Sequence, residues 1–345
     1  MNNKFFPSNF MMIMMMFMGS IMAMSSSHWM MMWMGLELNL MGILPLMNMK
    51  SKNLEIESSM KYFIIQSLSS SLFLLSSIFM FLSSTNMYSM FNTSSFSSLM
   101  SISLLMKMGS VPFHFWLPSM CKFLSWSILY LILTWQKLAP LYMLSLINTN
   151  FFIIILSSIF SSIMGSIQAI NQTNLQMIMT YSSISHLGWM IPASSINNSM
   201  MMFYLLIYSI IIIPLFNFFS SFSTNYLFSL SEQNFSTNNQ NVMISSILLS
   251  LGGIPPTLGF LSKLMIINML IYTNMIFLPF FLFLGTIISL YFYLNMMMMI
   301  LIKSFSIFFS PNMKMKMKFI MSMNIFGSFI FIPMLIYAMN IFYKP

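Results

Sequence analysis

The chain has 345 residues, of which 58% are hydrophobic and 5% charged, with a mean hydropathy of +0.86; a soluble domain carries about 25% charged residues. Four glutamates and thirteen lysines, with no Asp or Arg, give a net charge of +9; so few charges cannot cover a soluble globule of this length, and a lipid bilayer is the solvent that suits it. One cysteine, Cys121, and three scattered histidines cannot supply an iron–sulfur, haem or copper site, and lysines in short loops read as a topology signal rather than a nucleic-acid surface.

A transmembrane helix needs about 20 apolar residues. In chain order, spans are predicted over 6–25, 28–47, 60–82, 96–117, 123–145, 151–170, 174–192, 199–220, 242–270, 277–302 and 319–342, about eleven in all. Polar punctuation predicts loops over 48–59, 83–95, 221–241 and 303–318. Two spans carry helix breakers. One holds Gly109-Ser-Val-Pro112 and the other Gly252-Gly-Ile-Pro255-Pro256, so breaks are expected near 109–112 and 252–256. Ser69-Ser70-Ser71 and Ser157-Ser158 fall inside spans, where their hydroxyls are expected to bond back to the helix and help helices pack. The expected architecture is an all-α polytopic membrane protein, with residues 1–345 forming a single transmembrane domain and no polar module between spans.

The lysines test that count. With eleven spans, Lys4, Lys50, Lys52, Lys61, Lys122, Lys303, Lys314, Lys316 and Lys318 share one side, against Lys344 on the other. The lysine-rich side is the inner one by the positive-inside rule, so the N-terminus faces inward and the C-terminus outward. The start, Met1-Asn-Asn-Lys4-Phe-Phe-Pro7, carries no Arg-rich presequence and no small-residue cleavage site follows, so no removed leader is expected.

The remaining lysines, Lys107, Lys137 and Lys263, fall within spans, as does Glu37. A charge at the centre of a span costs at least about 2.5 kcal/mol on insertion scales, so such residues mark functional sites. Lys107 and Lys263 sit beside the two predicted breaks, and interrupted helices next to buried ionisable groups point to an ion path in transporters. A desolvated lysine is able to take up and release a proton near neutral pH, and a neighbouring carboxylate controls that exchange. The plainer alternative, a structural ion pair or a snorkelling stem, holds well for one membrane lysine and poorly for three together. His186 can relay protons or simply pack through hydrogen bonds; His114, beyond the first break, reads as structural, and His28 as interfacial. Runs such as Met14–Met16 and Met296–Met299 read as packing filler, and no metal site is expected.

These motifs resemble a known family. Gly35-Leu-Glu37-Leu-Asn39, Lys61-Tyr-Phe-Ile-Ile-Gln66, Lys107-Met-Gly-Ser-Val-Pro-Phe-His-Phe-Trp-Leu-Pro118, Trp135-Gln-Lys137-Leu-Ala-Pro140, Tyr181-Ser-Ser-Ile-Ser-His186-Leu-Gly-Trp189 and Ser250-Leu-Gly-Gly-Ile-Pro-Pro-Thr-Leu-Gly-Phe260 run in order over most of the chain. They are similar to the antiporter-like membrane subunits of respiratory complex I, and the Trp135-Gln-Lys137 element with the short length resembles the mitochondrial NADH dehydrogenase subunit 2 family. Two positions depart from the pattern. Ser119 stands where the family usually has an acidic residue, and Phe260-Leu-Ser-Lys263-Leu stands where it often reads Phe-Leu-Pro-Lys-Trp.

The resemblance implies a membrane-arm subunit of NADH:ubiquinone oxidoreductase that contributes to proton translocation across the mitochondrial inner membrane and has no redox site of its own. It implies a modulating pair, Glu37 and Lys107, a central Lys137, and a Lys263 that faces the next subunit; His186 stays a candidate member of the proton path on the residue reading above. The implied partners are other membrane-arm subunits and lipids such as cardiolipin. NADH, FMN, iron–sulfur clusters and ubiquinone belong to the whole complex, and no cofactor is expected on this chain. The abundance of Met, Ile, Phe, Asn and Ser fits an AT-rich gene read with an invertebrate mitochondrial code, which makes the chain organelle-encoded. Two alternatives stay open: a stand-alone cation/proton antiporter of the same ancestry, and a purely structural membrane-arm subunit.

Overall fold

The computed structural model describes residues 7–49, 52–84, 93–147, 150–221, 226–227, 238–255 and 257–304. The span expected over 319–342 and most of the loops 83–95, 221–241 and 303–318 lie outside the described residues. The helices are α1 (Pro7–Ser25), α2 (Trp29–Met47), α3 (Asn53–Ser84), α4 (Thr93–Met108), α5 (Trp116–Cys121), α6 (Trp126–Leu133) and α7 (Trp135–Leu146). They continue with α8 (Phe151–Ile170), α9 (Leu175–Ile196), α10 (Asn198–Ser221), α11 (Asn238–Gly252), α12 (Leu258–Tyr272) and α13 (Phe277–Ser304). Among the described residues, α2, α3, α8, α10 and α13 are long and apolar enough to cross a membrane uninterrupted.

The chain divides into two compact units. One comprises 1–162 with 186–201, and the other 163–185 with 202–345. In the first unit α1 and α2 pack backbone to backbone. A Cβ on Gly19 would lie 2.6 Å from the Asn39 nitrogen, and one on Gly42 would lie 2.7 Å from the Met16 nitrogen. Such close approach is how membrane helices associate without a hydrophobic drive. Next to this pair, α3 packs on α2, α4 and α5, and α7 packs on α1, α4 and α6. In the second unit α11 packs against α12 and α13.

Membrane serines behave as expected from sequence. Ser69, Ser70 and Ser71 donate to the carbonyls of Gln66, Ser67 and Leu68, and Ser157 and Ser158 donate to Ile154 and Ile155, each at 2.8–3.1 Å.

Two expectations need correction. The loop predicted over 48–59 ends early, because α3 already starts at Asn53. Its first turn carries Glu55, and Glu57 pairs with Lys61 at 2.6 Å one turn on, so polar residues that read as a loop support a helix end instead. At 32 residues α3 is about 48 Å long, more than the bilayer core requires. The span predicted as continuous over 123–145 is interrupted at Thr134, between α6 and α7. Thr134 Oγ1 and its N–H both reach the Tyr130 carbonyl, at 2.7 and 3.1 Å, and the Lys137 N–H reaches back only three residues, to the Thr134 carbonyl at 3.2 Å.

The two predicted breaks are present. After α4, Gly109 takes φ +71°, its N–H reaches the Met106 carbonyl, and the Ser110 N–H reaches Leu105, at 3.2 and 3.1 Å. After α11, Gly253 takes φ +80° and repeats the pattern on Ser250 and Leu249. Both ends are thus Schellman turns, which need a residue without a Cβ penalty at positive φ.

Candidate functional site

A helix end inside a membrane has to satisfy its last carbonyls from the protein itself. At the α4 end the sequence does this with side chains far along the chain. Gln66 Nε2 of α3 donates to the Lys107 carbonyl at 3.1 Å, and Trp116 Nε1 of α5 donates to the Met106 carbonyl at 3.2 Å. The break therefore fixes Lys107 at a helix terminus whose carbonyls at 105, 106 and 107 all have donors, with its side chain buried.

Beside it lies a cavity of about 20 Å³ in which Lys107 and Lys137 are both wall residues. That volume exceeds the 10–15 Å³ or so that one water requires. Polar atoms come from Asn39 on α2, Tyr62 and Gln66 on α3, and Gln136 on α7; Leu36, Trp116, Ile132 and Pro140 close the apolar sides. Asn39 and Gln136 bond to each other in both directions, at 2.8 and 3.0 Å. Tyr62 is held by its ring against Trp116, with centroids 5.8 Å apart.

Glu37 is half-buried on α2, beside the wall residue Leu36 but outside the cavity wall, and it makes no ion pair with Lys107 among the described residues. Lys137 is 2% exposed on α7, and the thiol of Cys121 is buried on α5. So the first unit brings Lys107 and Lys137 to one cavity, with Glu37 on the helix that supplies Leu36, Asn39 and Leu40 to its wall.

His186 is buried on α9, in the first unit, but is not part of the cavity wall. His114 is buried in the turn after the first break, with its ring 4.2 Å from Phe115, and His28 is exposed just before α2.

Lys263 belongs to the second unit, buried on α12. Its Nζ donates to the Gly252 carbonyl at 2.9 Å, the last of α11. A cation at the negative end of a helix stabilises that end. The space is close-fitted: a Cβ on Gly253 would lie 2.7 Å from this Nζ, and one on Gly259 would lie 1.7 Å from the Ser250 carbonyl oxygen.

Sequence reading singled out the charged residues and passed over Asn39, Tyr62, Gln66 and Gln136, which wall the same cavity. A signal was there. Tyr62 and Gln66 are one turn apart, Gln136 adjoins Lys137, and a polar side chain inside an apolar span needs a partner.

The family described as NADH:quinone oxidoreductase/Mrp antiporter, transmembrane, matches residues 26–289. NADH-ubiquinone oxidoreductase chain 2 of Anopheles gambiae is 42% identical over 299 residues, 85% of each chain. The Bos taurus protein of the same name is 38% identical over 305 residues, 87% of each. Among solved structures, a chain of respiratory complex I from Thermus thermophilus superposes with a TM-score of 0.80 at 20% identity, over 92% of this chain and 76% of that one. A chain of the Mrp complex from Dietzia superposes with a TM-score of 0.74 at 17% identity, over 87% and 61%. The chain belongs to the NADH:quinone oxidoreductase/Mrp antiporter transmembrane family, among the NADH-ubiquinone oxidoreductase chain 2 proteins.

Proposed function

We propose that this chain is a proton-translocating membrane-arm subunit of NADH:ubiquinone oxidoreductase in the mitochondrial inner membrane, and that Lys107 and Lys137 hand protons to each other through their shared cavity. The observation that carries the reading is the cavity itself. Two buried lysines wall a water-sized space beside a broken helix, with Glu37 on a helix that supplies three of the wall residues. While the Glu37 carboxylate is charged it favours the ammonium form of Lys107; when it is neutralised or moves away, Lys107 gives its proton up. Water in the cavity accepts that proton and delivers it to a neutral Lys137, so one N–H bond breaks and one forms with no other change. His186 is a further relay candidate, and Lys263, buried in the second unit, faces the neighbouring antiporter-like subunit.

The redox chemistry belongs to other subunits, and this chain binds no cofactor or metal. The lysine-rich loops face the matrix, with the N-terminus on that side and the C-terminus in the intermembrane space. Lysines at the matrix surface also suit anionic lipid headgroups such as those of cardiolipin.

The deciding experiment compares protons pumped per NADH oxidised by the purified complex in vesicles, with Lys137 intact and with Lys137→Met. Loss of pumping with normal assembly supports the reading, and normal pumping refutes it. The family includes Mrp antiporters, which keeps a second reading in play, a cation/proton antiporter working alone. Native gels of the host membrane decide between them: a subunit migrates with an NADH-oxidising assembly, a lone antiporter as a free chain.

A further inference from the structure

The proton path needs an opening on the lysine-rich side, and α3 supplies a candidate. Two glutamates stand near its first turn, and they differ sharply. Glu57 is exposed and pairs with Lys61. Glu55 is 5% exposed, and its buried Oε2 has no hydrogen-bond partner among the described residues. Burying a carboxyl oxygen without a donor is unfavourable by more than a helix N-terminus returns, so an acid kept there needs a reason.

The same face of α3 leads inward. Ser58 and Ser59 follow one turn on, Tyr62 at two turns and Gln66 at three, all buried. This is the i, i+3/i+4, i+7, i+11 spacing of one helix face. The Ser58 and Ser59 hydroxyls donate to the carbonyls of Glu55 and Ile56 at 2.7 and 2.8 Å, which leaves their oxygen lone pairs as acceptors. Tyr62 and Gln66 wall the cavity of Lys107 and Lys137. Seven residues at 1.5 Å each put Tyr62 about 10 Å along the axis from Glu55.

We propose that Glu55 is a proton-uptake residue that feeds the Lys107–Lys137 cavity along the Ser58, Ser59 and Tyr62 face of α3, an inference that rests on the proton-conducting reading above. The Glu55 carboxylate takes a proton from water at the lysine-rich end. The proton moves inward by O–H exchange: each serine or tyrosine oxygen, or a water between turns, accepts one proton and releases another. Glu55 is left ionised and Lys107 or Lys137 gains the proton, with no net chemistry on the path.

The test uses the assembled complex in vesicles with the lysine-rich side outward. Glu55→Gln keeps the shape but cannot carry a proton, and it is expected to lose more than half of the protons pumped per NADH. Glu55→Asp keeps the carboxyl and is expected to pump. Formate added outside, a small acid that replaces the missing group, is expected to restore Glu55→Gln. Wild-type pumping by Glu55→Gln overturns the proposal. So does equal failure of the Gln and Asp variants, in pumping or in assembly, which marks a structural acid. Lys137→Met, measured in parallel, separates the two claims. If it is inactive while Glu55→Gln is normal, only the uptake role falls; if it is normal while Glu55→Gln is impaired, the central lysine reading falls.

Discussion

The carboxamides of Asn39 and Gln136 are bonded to each other twice, Asn39 Nδ2 to Gln136 Oε1 at 2.8 Å and Gln136 Nε2 to Asn39 Oδ1 at 3.0 Å. This neutral pair ties α2, which carries Glu37, to α7, which carries Lys137, without adding a charge that would disturb either. Asn39→Leu strands the Gln136 amide and is expected to lower stability by about 1–2 kcal/mol. Changing Gln136 to Leu as well removes the stranded group and is expected to recover most of that loss. Thermal unfolding of the purified complex, single against double variant, is the measurement; a double variant worse than the sum of the singles contradicts the pairing argument.

Lys137→Met is expected to assemble while pumping poorly. Met keeps most of the stem and removes a buried charge, so packing changes little and the cost of desolvating an ion disappears. A structural ion pair predicts the reverse, an unpaired partner and failed assembly. Glu37→Gln, which keeps the shape and loses the charge, is expected to give a milder pumping defect, because Glu37 stands outside the cavity wall and makes no ion pair with Lys107 among the described residues. Pumping per NADH and assembled yield are read from the same preparations.

Gly259 and Gly252 make a matched pair around the second break. A Cβ on Gly259 would sit 1.7 Å from the Ser250 carbonyl oxygen, whereas one on Gly252 would meet nothing nearer than 3.8 Å. Gly259→Ala is therefore expected to destabilise by about 3 kcal/mol or more, at the upper end for overpacking, and Gly252→Ala to stay within about 0.5 kcal/mol. Yield of the folded subunit in the complex distinguishes them, and equal tolerance of both would show that α12 does not press on the end of α11 as described.

Topology can be read with one engineered thiol. Cys121 is the sole cysteine and is buried, so the background is silent to a membrane-impermeant maleimide. Met49 is exposed in the connection between α2 and α3. Met49→Cys is expected to label only when the matrix side is opened. Labelling from the intermembrane space, with the inner membrane intact, would invert the orientation drawn from the lysines.

Much of this protein was legible in its sequence. Hydropathy alone decides that the chain lives in a bilayer, because water cannot satisfy so apolar a surface and a bilayer demands helices. Glycine and proline at 109–112 and 252–256 announce two breaks, since positive φ and a missing N–H are properties of single residues. The buried lysines stand out because a charge in an apolar span is costly wherever it sits. What single positions cannot encode is who meets whom. That Gln66 caps the Lys107 carbonyl, that Asn39 clasps Gln136 across ninety-seven residues, and that Lys107 and Lys137 wall one cavity are outcomes of helix packing. The interruption at Thr134 belongs to the same class, since the Ser/Thr chemistry that bends a helix there bonds back harmlessly in the serine runs of α3 and α8. Glu55 and Glu57 are two residues apart and alike in chemistry; only the neighbours that α3 acquires on folding make one a surface ion pair and the other a buried acid.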